Sequence, residues 1–532
     1  MVGLVTDSVT GRPIQGVPVT DGYTFTVTDH NGEYAFKGNS KTRTVYITVP
    51  AEYEIPMDSN HQPAYYKNGN FSSASQLYVN NFELTPRSSG SEKFALAVAA
   101  DIHISNASDL YKFTNRALPD MISTLNDYCT GDYVQCVTLF AGDQFTDNLG
   151  MIQSFKDALT DKTVGGRKHA FLHCIGNHDF SQSSLSNYDG IFSDNASRTY
   201  VASQTFVDNF GPTDYSLNIG KAHIVVMNNM IVSGIGSGNS VDYTYGFTAN
   251  QLEWLKEDLN LVRDPQEKVL VLCVHAPIMG NLNYTNYQAV LQLLSRFNEG
   301  HIVSGHKHWI RNYEHDVTCA GGSKVYEHNL QMMGGMWWNT NLSVDGSPAG
   351  YSLMKFSGKK LYESVNKATG ADLDHQIRVY SGNDSYYASY FSWTQGAGKN
   401  PVHTETYKWE DSLKGKFIAR VWNADDDNWT VEFVQNGVSK PMTRLDSQQD
   451  HCTFAFSYLF HDRVNGGNTE YYSKLKNFWV IDAPCGNPAN ETGWKIVATH
   501  KASDSRTLTY ERNVLQTDFS GFAYGASYPK NK

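Results

Sequence analysis

A chain of 532 residues is longer than one hydrophobic core organises, so several domains are expected before any motif is considered. Hydrophobic residues make up 40% and charged residues 18%, with 32 Tyr and 10 Trp along the chain, which excludes an extended disordered protein. A formal charge of -11 and the lack of any basic run exclude loose binding to nucleic-acid polymers or anionic lipid, which needs clustered Lys and Arg.

Residues 1–87 read as short strands: Gly3-Leu4-Val5-Thr6-Asp7, Val17-Pro18-Val19, the alternating run Tyr23 to Thr28, a turn at Asp29-His30-Asn31-Gly32, and Tyr34-Ala35-Phe36. The frame set by Gly3, Val5, Asp7, Gly11, Pro13, Ile14, Gly16, Val17, Val19, Thr28, Asp29, Gly32 and Tyr34 resembles the carboxypeptidase regulatory-like β-sandwich, a structural and typically extracellular module. The polar stretch Pro86-Arg87-Ser88-Ser89-Gly90-Ser91 marks a linker. From 92 to 345, apolar runs of strand length alternate with helix-period segments, as expected where parallel strands are covered by helices. One helix is especially clear: Thr248 and Gln251 fit a capping box, and Leu252, Leu255, Leu259 and Val262 follow on one face. From 346 to 532 helical period fades and strand-like segments return, such as Lys416 to Val421 and Trp429 to Val434, so a β-rich third domain is expected.

No apolar stretch is long enough for a transmembrane helix. Met1 runs directly into strand-like Gly3-Leu4-Val5, and the domain types lead us to expect an export signal that has been removed, hence a periplasmic, secreted or cell-surface protein, with a cytoplasmic location the alternative. Of the seven cysteines, Cys174 and Cys273 lie in apolar runs as small buried groups, while Cys129 with Cys136, or Cys452 with Cys485, are the pairs open to disulfide formation.

The chemistry stands where the apolar runs of the middle region end. Phe94 to Ala100 leads into Asp101-Ile102-His103, Val134 to Ala141 into Gly142-Asp143, and Ala170 to Ile175 into Gly176-Asn177-His178-Asp179. Val269 to Val274 leads into His275-Ala276-Pro277, and Ile302-Val303-Ser304 into Gly305-His306-Lys307-His308. Five strand ends each deliver metal-capable side chains, and the carboxyl ends of strands are where sites assemble in α/β folds. In extended chain, residues i and i+2 point the same way, so Asp101 with His103, and His306 with His308, can enter one cavity. The glycines before Asp143, Asn177 and His306 allow sharp turns and close approach of a ligand. Imidazole, carboxylate and amide donors without thiolate suit Mn, Fe or Zn.

The series D-x-H, G-D, G-N-H-D, a lone H and G-H-x-H, in this order, resembles the calcineurin-like metallophosphoesterase superfamily. Gly334-Gly335-Met336-Trp337-Trp338, Asp345 to Tyr351 and Tyr362 to Tyr380 resemble bacterial members with an extra domain on each side. The resemblance implies a central four-layer αββα sandwich of α/β class, between an N-terminal β-sandwich and a C-terminal β-rich domain. It implies two divalent or mixed-valence ions, one on Asp101, His103, Asp143 and His308, the other on Asp143, Asn177, His275 and His306, with Asp143 bridging. His178 stays unligated to hold the phosphoryl group and help the leaving oxygen depart, so Asp101, Asp143 and His178 carry catalysis, by a metal-bound hydroxide attacking phosphorus in line.

Two divalent ions against Asp101, Asp143 and a hydroxide leave the site net positive, which suits a phosphate ester but does not separate monoesters from diesters. Protein phosphatases of this superfamily show G-D-x-V-D-R-G, whereas Gln144-Phe145-Thr146-Asp147-Asn148 follows Asp143 without an arginine, and Asp179 stands where they place Glu. A small-molecule, lipid-linked or glycan-linked phosphate ester is therefore expected rather than phosphoprotein. Trp337 and Trp338 are candidates for the substrate rim. Gly234 to Gly238 lacks nucleotide-binding spacing and reads as a loop; His169, His173, His301, His315 and His328 read as structural or exposed. The alternative is a surface protein that binds glycan or lipid through its β domains, with the phosphoesterase domain as scaffold or tailoring activity.

Overall fold

The computed structural model describes residues 1–517 except 72, 74, 89, 189–191, 281, 336, 339, 388–405, 447–474 and 502–506. Near the N-terminus, Val2–Asp7 pairs antiparallel with Glu33–Ala35 and parallel with Phe82–Leu84. A four-stranded sheet in the order Phe25–Val27, Pro18–Thr20, Thr44–Ile47, Tyr66–Asn68 completes this β domain, and Val5, Val17, Val19, Val45 and Ile47 fill its core.

The central unit is built on two sheets. The first runs Phe171–Cys174, Gln135–Ala141, Lys93–Ala99, Gly350–Ser357, Lys360–Ala368. The second runs Tyr215–Ile219, Ala222–Val226, Val269–Cys273, Glu299–Ser304, Lys324–Asn329, Arg311–Thr318. Alternation along Lys93–Ala99 sorts its residues between two layers. Phe94, Leu96 and Val98 pack with the second sheet, while Ala95, Ala97 and Ala99 pack with Phe113, Met121, Leu125 and Phe155 of the covering helical segments. The helices Ala249–Asn260 and Tyr287–Leu294 place Leu255, Leu259, Val290 and Leu294 in the cluster of the second sheet, giving the expected αββα layering. The predicted capping box is present, with Gln251 N donating to Thr248 Oγ1 and Thr248 N to Gln251 Oε1.

The first sheet continues past residue 345. Gly350–Ser357 pairs antiparallel with Lys93–Ala99, and Lys360–Ala368 pairs with it in turn, so the unit expected to end at 345 reaches Ala368. These edge strands form a hairpin with no helical crossover, so the helix-period cue used to bound the unit stopped before the sheet did.

Beyond it, one antiparallel sheet runs Ile377–Ser381, Lys416–Val421, Phe478–Asp482, Thr443–Leu445, and another Val438–Pro441, Trp429–Gln435, Trp494–Lys501, Thr507–Arg512. Val379, Phe417 and Ala419 of the first pack against Val431, Phe433 and Ile496 of the second, as a β-rich domain requires. Gly234 and Ile235 close the strand Met230–Ile235 of a hairpin with Val241–Tyr245, bulged after Val232, rather than forming a plain loop. Cys129 and Cys136 are free thiols, as is Cys485; Cys452 lies outside the described residues. Among the described residues no helix is long and apolar enough to cross a membrane.

Candidate metal centre

The parallel strands Lys93–Ala99, Gln135–Ala141, Phe171–Cys174, Val269–Cys273 and Glu299–Ser304 end beside one another, and the five segments that follow meet at one edge of the two sheets. The pairs Asp101/His103 and His306/His308 are not extended as i, i+2 alternation suggests. Asp101 (φ 56°), His103 (φ 56°), Asp143 (φ 53°), His306 (φ 68°) and His308 (φ 58°) all occupy the left-handed region. Such backbone costs about 1–3 kcal/mol per residue and persists only where neighbours over-determine it. Here they do: Asp101 N donates to Gly142 O (3.1 Å), His103 N to Asp143 O (2.9 Å), and His306 N to both Asp101 carboxylate oxygens (3.1 and 3.0 Å).

Of the glycines expected to turn the chain, only Gly142 has positive φ, at 91°. Gly176 serves by close approach, since a Cβ there would stand 2.2 Å from Asp143 Oδ1, and at Gly305 it would stand 2.5 Å from Asp101 Oδ2.

Side-chain donors converge in two groups, Asp101–His103–His308 and Asp143–His275–His306, each with its atoms within 4.8 Å of one another. His103, Asp143 and His178 form a third such group. His275 Nε2 lies 3.0 Å from Asp143 Oδ2 and 3.2 Å from Asn177 Oδ1, while His308 Nε2 lies 3.3 Å from Asp101 Oδ1 and 3.1 Å from His103 Nε2. The second nitrogen of several rings is held from outside: His275 Nδ1 by Ala141 O (2.8 Å) and His103 Nδ1 by Thr146 Oγ1 (3.1 Å). His306 is bound the other way round, its Nε2 2.8 Å from the Tyr245 hydroxyl. Such partners set which nitrogen is left for a cation. Six imidazole and carboxylate groups gathered at one edge, and glycines where a Cβ would fill the space, fit a pair of divalent ions with N and O ligands.

The protonation of these groups follows from burial and mutual charge. Burial opposes the charged form of His275, yet the Asp143 carboxylate and the hydrogen bond to it outweigh this and push His275 up to about 10. Burial drives His103 and His306 well below the usual histidine range. Asp143 is held well below the carboxylate range because the neighbouring imidazoles, His275 first, overcome its burial. Entry of a cation must displace the protons these rings carry.

His178 sits beside this cluster, with its N–H donating to Asp143 Oδ1 (2.8 Å) and its Nδ1 2.9 Å from Asp147 Oδ1. Burial lowers its basicity, but Asp143 and Asp147 push it up to about 9. Asp147, Thr146 and Tyr245 escaped the sequence reading because none stands in a motif with metal-ligand spacing; Asp147 alone had a signal, as a carboxylate four residues after Asp143. Asp179 is fully buried and accepts from Phe145 N (3.1 Å), Gln144 Nε2 (2.8 Å) and Gly176 N (2.9 Å), tying the Asp143 and Asn177 segments together.

The two tryptophans part company. Trp337 is half-buried, with its ring 6.1 Å from that of His103 and 6.0 Å from that of His308, on the rim of the centre. Trp338 is fully buried, donates Nε1–H to Ile102 O (2.7 Å) and packs on Phe113, so the expectation that it touches substrate is corrected. Adjacent residues in left-handed backbone point apart, and the apolar core takes one ring. Tyr243 and Tyr245 stand near His306. His169, His173, His301, His315 and His328 are all buried away from the centre.

Three family models match in chain order: "N terminal of Calcineurin-like phosphoesterase" over residues 2–87, "Calcineurin-like phosphoesterase" over 94–309 and "C terminal of Calcineurin-like phosphoesterase" over 327–503. No curated protein matches the chain. Among solved structures, a purple acid phosphatase from yellow lupin (Lupinus luteus) seeds is 13% identical with a TM-score of 0.33, the match covering 52% of this chain and 54% of that one. An NAD nucleotidase from Haemophilus influenzae is 11% identical with a TM-score of 0.28, covering 52% of this chain and 50% of that one. The chain thus spans about half the length of each of these proteins. From the three consecutive family matches, the chain belongs to the calcineurin-like phosphoesterase family and carries the family's N- and C-terminal companion domains.

Proposed function

We propose that this enzyme hydrolyses a phosphodiester or a small soluble phosphomonoester with two divalent or mixed-valence ions of Mn, Fe or Zn. Asp101, His103, Asp143 and His308 hold one ion, and Asp143, Asn177, His275 and His306 the other. The observation that carries this reading is the pair of converging groups, Asp101–His103–His308 and Asp143–His275–His306, with Asp143 also within reach of His103. When bound, such ions supply Lewis-acid stabilisation of phosphoryl charge and lower the pKa of a water.

The chain's own part is to orient and to move a proton. Asp147 engages His178 Nδ1, so Nε2 is the nitrogen left to hold a phosphoryl oxygen and to pass its proton to the departing ester oxygen. Asp143 both shares the cluster and anchors the His178 backbone, which fixes that ring relative to the reacting phosphorus. Trp337 offers a flat apolar wall to the ester group. The absence of arginine in residues 144–148 supports a free, lipid-linked or glycan-linked small ester over a phosphoprotein. An exported location rests on the likeness of residues 1–87 to extracellular modules.

Metal analysis of the purified protein, with hydrolysis of a chromogenic phosphodiester and monoester by wild type and His178→Ala, tests this. Close to two metals per chain and a loss of about 10²–10⁴-fold in the variant are expected. No stoichiometric metal after Mn is supplied would sink the reading.

A further inference from the structure

A buried ion pair ties the C-terminal domain to a turn that is bonded to the segment following His308. Arg420, on the strand Lys416–Val421, is fully buried, and so is its partner Asp345. Arg420 Nη2 donates to Asp345 Oδ2 (2.5 Å) and Nη1 to Asp345 O (2.6 Å). Arg378, opposite Arg420 on the paired strand Ile377–Ser381, donates from Nη1 to Gly346 O (2.5 Å). Both guanidinium groups lie against Trp422, 4.9 and 5.0 Å from its ring centre. Two cations of one sheet thus grip the Asp345–Gly346 turn.

That turn is bonded to the segment carrying His308. Asp345 Oδ2 accepts from Ile310 N (3.2 Å), and Val344 N donates to His308 O (3.1 Å). Asp345 Oδ1 accepts from Ser347 N (3.1 Å) and Ser347 Oγ (2.5 Å), so both of its oxygens are committed and its position is fully determined. His308 stands in left-handed backbone, which needs restraint from outside the segment. Trp337 stands eight residues before Asp345 in the chain.

We infer that the C-terminal domain is part of the metal centre's scaffold, with Arg420 and Asp345 acting as positioning residues for His308. This rests on the metal reading of the previous subsection. A pair that served only to dock two domains would need no bond to Ile310. The interface has other polar ties without that route, such as Tyr326 donating its hydroxyl to Asp426 Oδ2 (2.6 Å).

The test is equilibrium binding of Mn(II) alone to the full chain, read as free Mn(II) by electron paramagnetic resonance. Wild type, Arg420→Met, Arg420→Lys, Asp345→Asn and Tyr326→Phe are compared, with near-ultraviolet circular dichroism as the check on folding. We expect the Arg420 and Asp345 variants to bind one of two ions about 10-fold more weakly, in the range seen when outer partners of a ligand are removed. Tyr326→Phe is expected to match wild type. Should Arg420→Met not fold, Arg420→Lys decides, because it keeps the charge and loses the two-pronged contact. Two sites of wild-type affinity in Arg420→Lys and Asp345→Asn would overturn the inference alone, as would equal weakening in Tyr326→Phe. No Mn(II) site in wild type would overturn the metal reading and this inference with it.

Discussion

The left-handed backbone at Asp101, His103, Asp143, His306 and His308 explains why this centre tolerates so little extra volume. At Gly176 a Cβ would stand 2.2 Å from Asp143 Oδ1 and 2.3 Å from its backbone nitrogen, and neither can move without displacing Asp143. Gly176→Ala is expected to cost about 1–3 kcal/mol of stability and to lower metal content well below wild type, measured by denaturant unfolding and by metal analysis. His306 offers a second check. Because its Nε2 is taken by the Tyr245 hydroxyl, Tyr245→Phe frees that nitrogen and loosens the ring. Metal affinity should fall about 10-fold at one site, with near-ultraviolet circular dichroism unchanged. Neither Tyr245 nor Thr146 could be read from the chain, since each contact joins segments far apart in sequence: 61 residues separate Tyr245 from His306.

At the scale of elements, periodicity and caps gave correct guidance where a segment's own pattern decides its structure. The Thr248/Gln251 capping box predicted the start of the helix Ala249–Asn260, and Thr248→Ala is expected to lower stability by about 1 kcal/mol in urea unfolding. The same helix buries Asp258, which no apolar stripe announces, because His223 Nε2 (2.8 Å) and Ser216 Oγ (2.6 Å) are there to meet it. The buried histidines His169 and His173 make stability pH-dependent. Burial lowers both to about 3, so the folded chain refuses protons that the unfolded chain takes up below about 6.5. Their stabilising contribution is complete above that pH and is lost as pH falls toward 3, at up to about 1.4 kcal/mol per unit for each group. His169→Gln should therefore flatten the loss of stability between pH 6.5 and 5, measured by unfolding at fixed metal concentration; an unchanged slope would refute this.

For the whole molecule, the domains are not beads on a string. Val49 bridges Leu217 on the edge of the second sheet, and Arg87 of the first domain donates to Gln135 of the central one (2.7 Å). Gly350–Ser357 covers the edge of Lys93–Ala99. A chain ended after residue 345 is expected to be insoluble, because it exposes the apolar edge of a central strand; a soluble product with native circular dichroism would contradict the sheet order. Arg420→Met leaves Asp345 as an unpaired buried charge, and about 3–5 kcal/mol of stability should be lost in addition to any effect on metal.

What the chain alone determined is the architecture and the donor types that stand at its strand ends. Asp101, His103, Asp143, Asn177, His275, His306 and His308 each follow an apolar run long enough to be a strand, and strands of that kind end at one edge of a layered sheet. Donor type at a strand end is a local property, so it survives as a pattern in one dimension. The separation of Trp337 from Trp338, the partners Asp147 and Tyr245, and the grip of Arg420 on Asp345 were settled only by the tertiary structure. Each depends on which distant segment arrives to fill the adjoining space, and close packing, rather than any spacing along the chain, makes that choice.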